Sequence, residues 1–131
     1  MISRTEITII SDNKKQSAEL ICNDENISIT LKQKQQKEKT YKGSDFYKCF
    51  GKLRSDNKHI QFLCKGSKIN VHPSSMSSQM SLGLNAYELS LGKEPSLDNL
   101  VFIFDYEDKD LTNEPIVQRE FYYKWLTNEQ P

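Results

Sequence analysis

Between residues 5 and 31 the apolar side chains fall largely at every second position, from residue 44 they recur at every third or fourth, and Lys32–Lys39 between them holds none at all. The first rhythm is that of strands. Thr5–Ile10 is β-branched and partly alternating, Asp12–Lys15 reads as a turn, and Ala18–Cys22 continues as a second strand. After a turn at Asn23–Asn26, Ile27, Ile29 and Leu31 share one face while Ser28 and Thr30 take the other, which predicts an antiparallel meander with one wet side. Lys32–Lys39 carries four lysines and no apolar residue, so it predicts an exposed segment outside any core.

The second rhythm begins at Ser44. Phe46, Cys49, Phe50 and Leu53 stand at i, i+3, i+4 and i+7, predicting an amphipathic helix over 44–55 with Ser44 as its N-cap. His59–Cys64 and Lys68–Val71 read as two short strands around a turn at Gly66, stopped by Pro73. Ser74 or Ser75 then starts a helix running to about Leu89, with Met76, Met80, Leu84 and Tyr87 as its core stripe. Leu100–Phe104 fits a buried strand or one side of a helix, and periodicity does not choose between them. Pro115 opens a C-terminal helix in which Val117, Phe121 and Trp125 pack inward. The expectation is one α+β domain over residues 1–131, an antiparallel sheet made of an N-terminal meander and a central hairpin, packed with about three helices.

Composition agrees with a folded chain: 131 residues with 36% hydrophobic side chains, 6 Phe, 6 Tyr and a Trp can close one core. No window approaches the ~18 apolar residues of a membrane span and the first residues do not resemble a secretory leader, so the expected compartment is the cytoplasm. Cys22, Cys49 and Cys64 are odd in number and far apart, which points to buried free thiols.

Charge is what first suggests a role. The net charge is zero, yet residues 1–68 hold 14 Lys/Arg against 8 Asp/Glu and residues 69–131 hold 4 against 10. A face built from the second set would repel phosphate and attract a cationic protein.

The search for chemistry finds little. His59 and His72 are the two histidines, and neither neighbourhood has the form of a nucleophile elbow. The run Asp105–Asp110 lacks the glycine and closing Glu of a calcium loop, and the five glycines form no phosphate-binding pattern. The expectation is a protein that binds and is not an enzyme, with no cofactor and no metal. A small RNA-binding or ribonuclease-like module, working through Lys32–Lys42 and the two histidines, is the alternative. An enzyme acting on small molecules is a third reading.

The blocks Phe62–Met80, Gly83–Tyr87 and Leu89–Lys93, within a likeness running from Tyr41 to Asp105, resemble the immunity proteins of contact-dependent growth inhibition and Rhs-type polymorphic toxin systems. Residues 1–40 lie outside it. The resemblance implies a cytoplasmic protein that neutralises its cognate toxin domain, often a nuclease, by covering the active-site or substrate-binding surface. A nuclease must offer nucleic acid a basic cleft, so carboxylates would occupy the same field. The expected contact set is Asp98, Asp105, Glu107, Asp108 and Asp110, with Tyr106 as aromatic anchor. The partner is then the toxin's C-terminal domain, with no membrane, nucleic acid or small-molecule ligand.

Overall fold

A computed structural model describes residues 1–127. The N-terminal alternation becomes two ten-residue strands, β1 (Ile2–Ser11) and β2 (Lys14–Asn23), joined by Asp12 and Asn13 at φ +53° and +61°. Two left-handed residues are what a tight two-residue hairpin needs, and Asp and Asn tolerate them. β3 (Ser28–Lys32) and β4 (Lys39–Lys42) extend the meander, and β5 (Gln61–Phe62) pairs with β1 on the far side, giving the order β4-β3-β2-β1-β5. All of these pairings are antiparallel. Ile7, Ile9, Ala18, Leu20, Cys22, Ile29 and Leu31 are buried on one face. Ile27 departs from the expected alternation: it sits at φ +48° in the turn before β3, half-buried against the core.

α1 (Phe46–Asp56) lies on that face. Its N-cap is Asp45, one residue later than expected: the Lys48 amide donates to Asp45 Oδ1 at 2.7 Å, while Ser78 Oγ donates to Oδ2 at 2.6 Å. One buried carboxylate thus caps α1 and anchors α2 (Ser75–Met80).

α2 is where the structure corrects the sequence reading most. The helix stops at Met80 instead of running to Leu89. Leu82 and Gly83 take positive φ, +54° and +79°, and the Leu82 carbonyl accepts from the Phe46 amide at 2.7 Å. At Gly83 a Cβ would lie 2.9 Å from Asp45 Cγ, so the chain must be glycine there and cannot continue as helix. Met76 and Met80 are not core residues; they are 71% and 81% exposed. The chain beyond forms β7 (Asn85–Glu88).

The central hairpin is also absent. Residues 65–67 form a single 3₁₀ turn, β5 pairs with β1, and β6 (Val71–His72) pairs with β7 in a second, three-stranded sheet of order β6-β7-β8. Gly66 is packed instead of turning: its amide donates to the Ile103 carbonyl at 2.7 Å, and a Cβ would meet Ile103 Cβ at 2.8 Å. Leu100–Phe104 resolves as strand β8 (Leu100–Phe102) followed by a turn that buries Ile103 and Phe104. One buried cluster joins both sheets, with Phe50 edge-to-face against Phe62 at 5.9 Å and Phe104 at 5.3 Å.

α3 (Pro115–Thr127) closes the molecule. Val117, Phe121 and Trp125 are only half-buried, and the residue it buries is Gln118. Gln118 Nε2 donates to the carbonyls of Gly66 and Lys68 at 2.9 and 2.8 Å. Its Oε1 accepts from Arg54 Nη2 at 2.6 Å. Arg54 is fully buried with no carboxylate partner among the described residues; it also donates to the Thr112 carbonyl at 3.1 Å and stacks over Phe50. Burial lowers its guanidinium to about 10, still charged at neutral pH.

Candidate partner-binding site

The segment 105–110, which the charge pattern singled out, lies along residues 63–69 and is held by the backbone. The amides of Lys65 and Ile69 donate to the carbonyls of Asp105 and Asp110, both at 2.8 Å, and the Glu107 amide donates to Leu63 at 3.2 Å. Isolated bridges pair Cys64 with Tyr106 and Lys68 with Leu111 at the two ends. Asp110 takes φ +56°, a left-handed turn that Asp tolerates.

Glu107 fastens this loop from inside. Oε1 accepts from Lys65 Nζ at 3.0 Å and Lys68 Nζ at 2.9 Å, while Oε2 accepts from the Asp108 and Lys109 amides at 3.0 and 3.1 Å. Desolvation acts to raise the Glu107 carboxyl, but the hydrogen bonds from Lys68, Lys65 and the Lys109 amide outweigh it and hold it down at about 2. Both lysines also lie within ion-pair reach of Glu88, at 3.2 and 3.5 Å. The side chain of Glu107 is 11% exposed, so its charge supports the loop and is not offered outward. The basic and acidic halves of the sequence are therefore interleaved here.

Asp105, Asp108 and Asp110 are exposed, and among the described residues their side chains form no ion pair. Tyr106 is 50% exposed; Lys15 Nζ donates to its hydroxyl at 3.2 Å and lies 5.7 Å from the ring centroid. Lys15 against Tyr106 and Lys109 within the loop offset part of its negative charge, which leaves the acidity local. Asp98 is exposed in a 3₁₀ turn at the other end of β8, so the loop and Asp98 are not brought together as one run.

The other candidates are dispersed. His59 is exposed in an open cleft of about 590 Å³ beside Asp12, Asn13 and Asn113. His72 stacks on Tyr122 at 3.8 Å and meets Tyr47 edge-on at 5.2 Å, and burial lowers its pKa. The two histidines line different clefts, and Lys32–Lys42 lines neither. Cys22, Cys49 and Cys64 are free and buried, and burial pushes their thiols up to about 12, 11 and 12, away from the reactive thiolate. No group of three or more metal-ligating side chains occurs among the described residues. None of their helices is long and apolar enough to cross a membrane.

The sequence reading missed Lys65 and Lys68 as anchors of the loop, and Arg54 and Gln118 as the polar tie beneath it. Lys65 and Lys68 could have been noticed as an i, i+3 pair flanking Gly66, but their partners, Glu88 and Glu107, lie 23 and 42 residues away from Lys65.

Taken together, fold and site define a mixed α+β protein whose described residues form two antiparallel sheets and three helices, with a pinned acidic loop at the surface. Compared with protein families and with curated proteins, the chain matches no family model and no curated protein significantly.

Proposed function

We propose that this chain is a cytoplasmic immunity protein that binds a cognate toxin domain, a basic nuclease, and neutralises it by covering its active-site or substrate-binding surface. The observation that carries the proposal is the 105–110 loop, in which a half-exposed Tyr106 is flanked by the free carboxylates of Asp105, Asp108 and Asp110 on a backbone fixed by hydrogen bonds to Leu63, Lys65 and Ile69. A loop already ordered loses little conformational freedom on binding, which favours affinity. Local carboxylates speed encounter with a basic surface and suppress other partners. Glu107 enters as the residue that positions this loop, and Asp98 as a separate contact beyond β8.

The test is co-expression with the toxin fragment encoded next to this chain, scoring growth and co-purification. A stable one-to-one complex and restored growth are expected. Toxicity undiminished by this chain, with no complex recovered, would remove the reading.

A further inference from the structure

α1 and α3 meet at Gly51, where a Cβ would lie 3.3 Å from Pro115 Cγ. Beside this contact is a cleft of about 240 Å³ to which α1 contributes Lys48 and Lys52 and α3 contributes Arg119. Among the described residues no carboxylate lines it. All three cations are exposed, and no ion pair among the described residues involves them, whereas Arg4, Lys58, Lys65 and Lys68 each have a carboxylate partner. Lys48 and Lys52 stand at i and i+4, a like-charge pair that disfavours a helix. The remaining wall is ring and apolar surface: the Tyr47 hydroxyl is turned away to the Val71 carbonyl at 2.7 Å, and His72 is stacked on Tyr122.

We propose that this cleft binds a phosphoryl dianion, either free phosphate or the phosphate of a small phosphomonoester. A phosphate carries close to two negative charges at neutral pH and offers three acceptor oxygens. Arg119 matches these oxygens in a fork, and the two lysines supply point charges. The three cations line one small cleft instead of forming a track, which favours a small phosphate over a polymer backbone. A second cleft of about 370 Å³ shares Lys48 and His72 with the first and is lined by Ser74, Ser75, Ser78 and the buried Asp45, whose carboxylate is already taken by the Lys48 amide and the Ser78 hydroxyl, leaving room beside Ser74 and Ser75 for the rest of an ester. The sequence reading expected no small-molecule ligand, because the sequence alone reveals no pocket of convergent polar groups. The site is independent of the toxin reading and stands or falls without it.

The experiment is a ¹⁵N NMR titration of the full chain with inorganic phosphate, with AMP and with chloride at matched ionic strength, repeated on Lys52→Ala and Arg119→Ala. Both substitutions fall at exposed positions, and an otherwise unchanged spectrum verifies the fold. Saturable shifts centred on Lys48, Lys52 and Arg119, with Kd of about 0.1–1 mM and at least a tenfold loss in Arg119→Ala, are expected. AMP binding tenfold tighter than phosphate, with shifts reaching Ser74–Ser78, would uphold the site and identify an ester; equal binding would uphold it for free phosphate. Shifts reproduced by chloride, affinity unchanged in both variants, or retention of a short single-stranded RNA without any response to phosphate or AMP would each overturn it.

Discussion

The two sheets are built by different means. In the five-stranded sheet the interior is almost wholly apolar: Ile9, Leu20, Ile29 and Leu31 lie under the Phe50 and Leu53 of α1, all at most 1% exposed. The region around the three-stranded sheet is tied together by polar groups, with Arg54 and Gln118 bridging residues 66, 68 and 112, Asp45 joining α1 to α2, and Glu107 linking two lysines. Apolar burial is non-directional and tolerates adjustment, whereas a buried polar network is worth much when complete and costs much when one member is lost. The first region should therefore respond to lost volume, and the second to lost partners.

The largest expected effect lies where the regions meet. Phe50→Ala removes a ring that packs on Phe62 of one region and Phe104 of the other, and should cost about 3–5 kcal/mol in urea unfolding. Next, Gln118→Leu keeps volume but leaves Arg54 Nη2 and the Gly66 and Lys68 carbonyls without their partner, at about 2–3 kcal/mol. If the second region depended on packing alone, this variant would unfold like the wild type.

Glu107→Gln should follow at about 1–3 kcal/mol, and its cost should depend on pH. The Glu107 carboxyl is held at about 2 in the folded chain. Unfolded, it titrates near about 4.3. Its contribution is therefore complete above that value and is lost as pH falls from there toward 2, because the unfolded chain takes up the proton first. Denaturation midpoints of wild type and variant should converge over that window. A gap that stays constant with pH would mean that the ion pairs to Lys65 and Lys68 contribute nothing. The smallest effect is expected at Met80→Ser, within about 0.5 kcal/mol. A cost of the size seen for buried methionines would restore the long helix that the pattern predicted.

The contrast between regions also explains what could be read in advance. Period-two alternation over 5–31 and the stripe Phe46, Cys49, Phe50, Leu53 are local signals of burial, and the strands and α1 formed where they pointed. Met76, Met80, Leu84 and Tyr87 carried a similar stripe, but Gly83 against Asp45 decided the path, and that is a contact between residues 38 positions apart. Pairing of β5 with β1 and of β6 with β7 is likewise a tertiary choice invisible to adjacent-strand reasoning. For the loop, exposure of Asp105, Tyr106, Asp108 and Asp110 was legible from composition alone. The inward role of Glu107 was not, since it depends on which lysines the fold brings beneath it.

The central claim is that the pinned loop presents its carboxylates to a basic toxin. It is tested most directly by the triple variant Asp105→Lys, Asp108→Lys, Asp110→Lys in the co-expression assay, with its unfolding midpoint measured alongside. We predict an unchanged midpoint, loss of the complex and loss of growth rescue; full rescue by a folded triple variant would contradict the assignment of this loop as the contact surface.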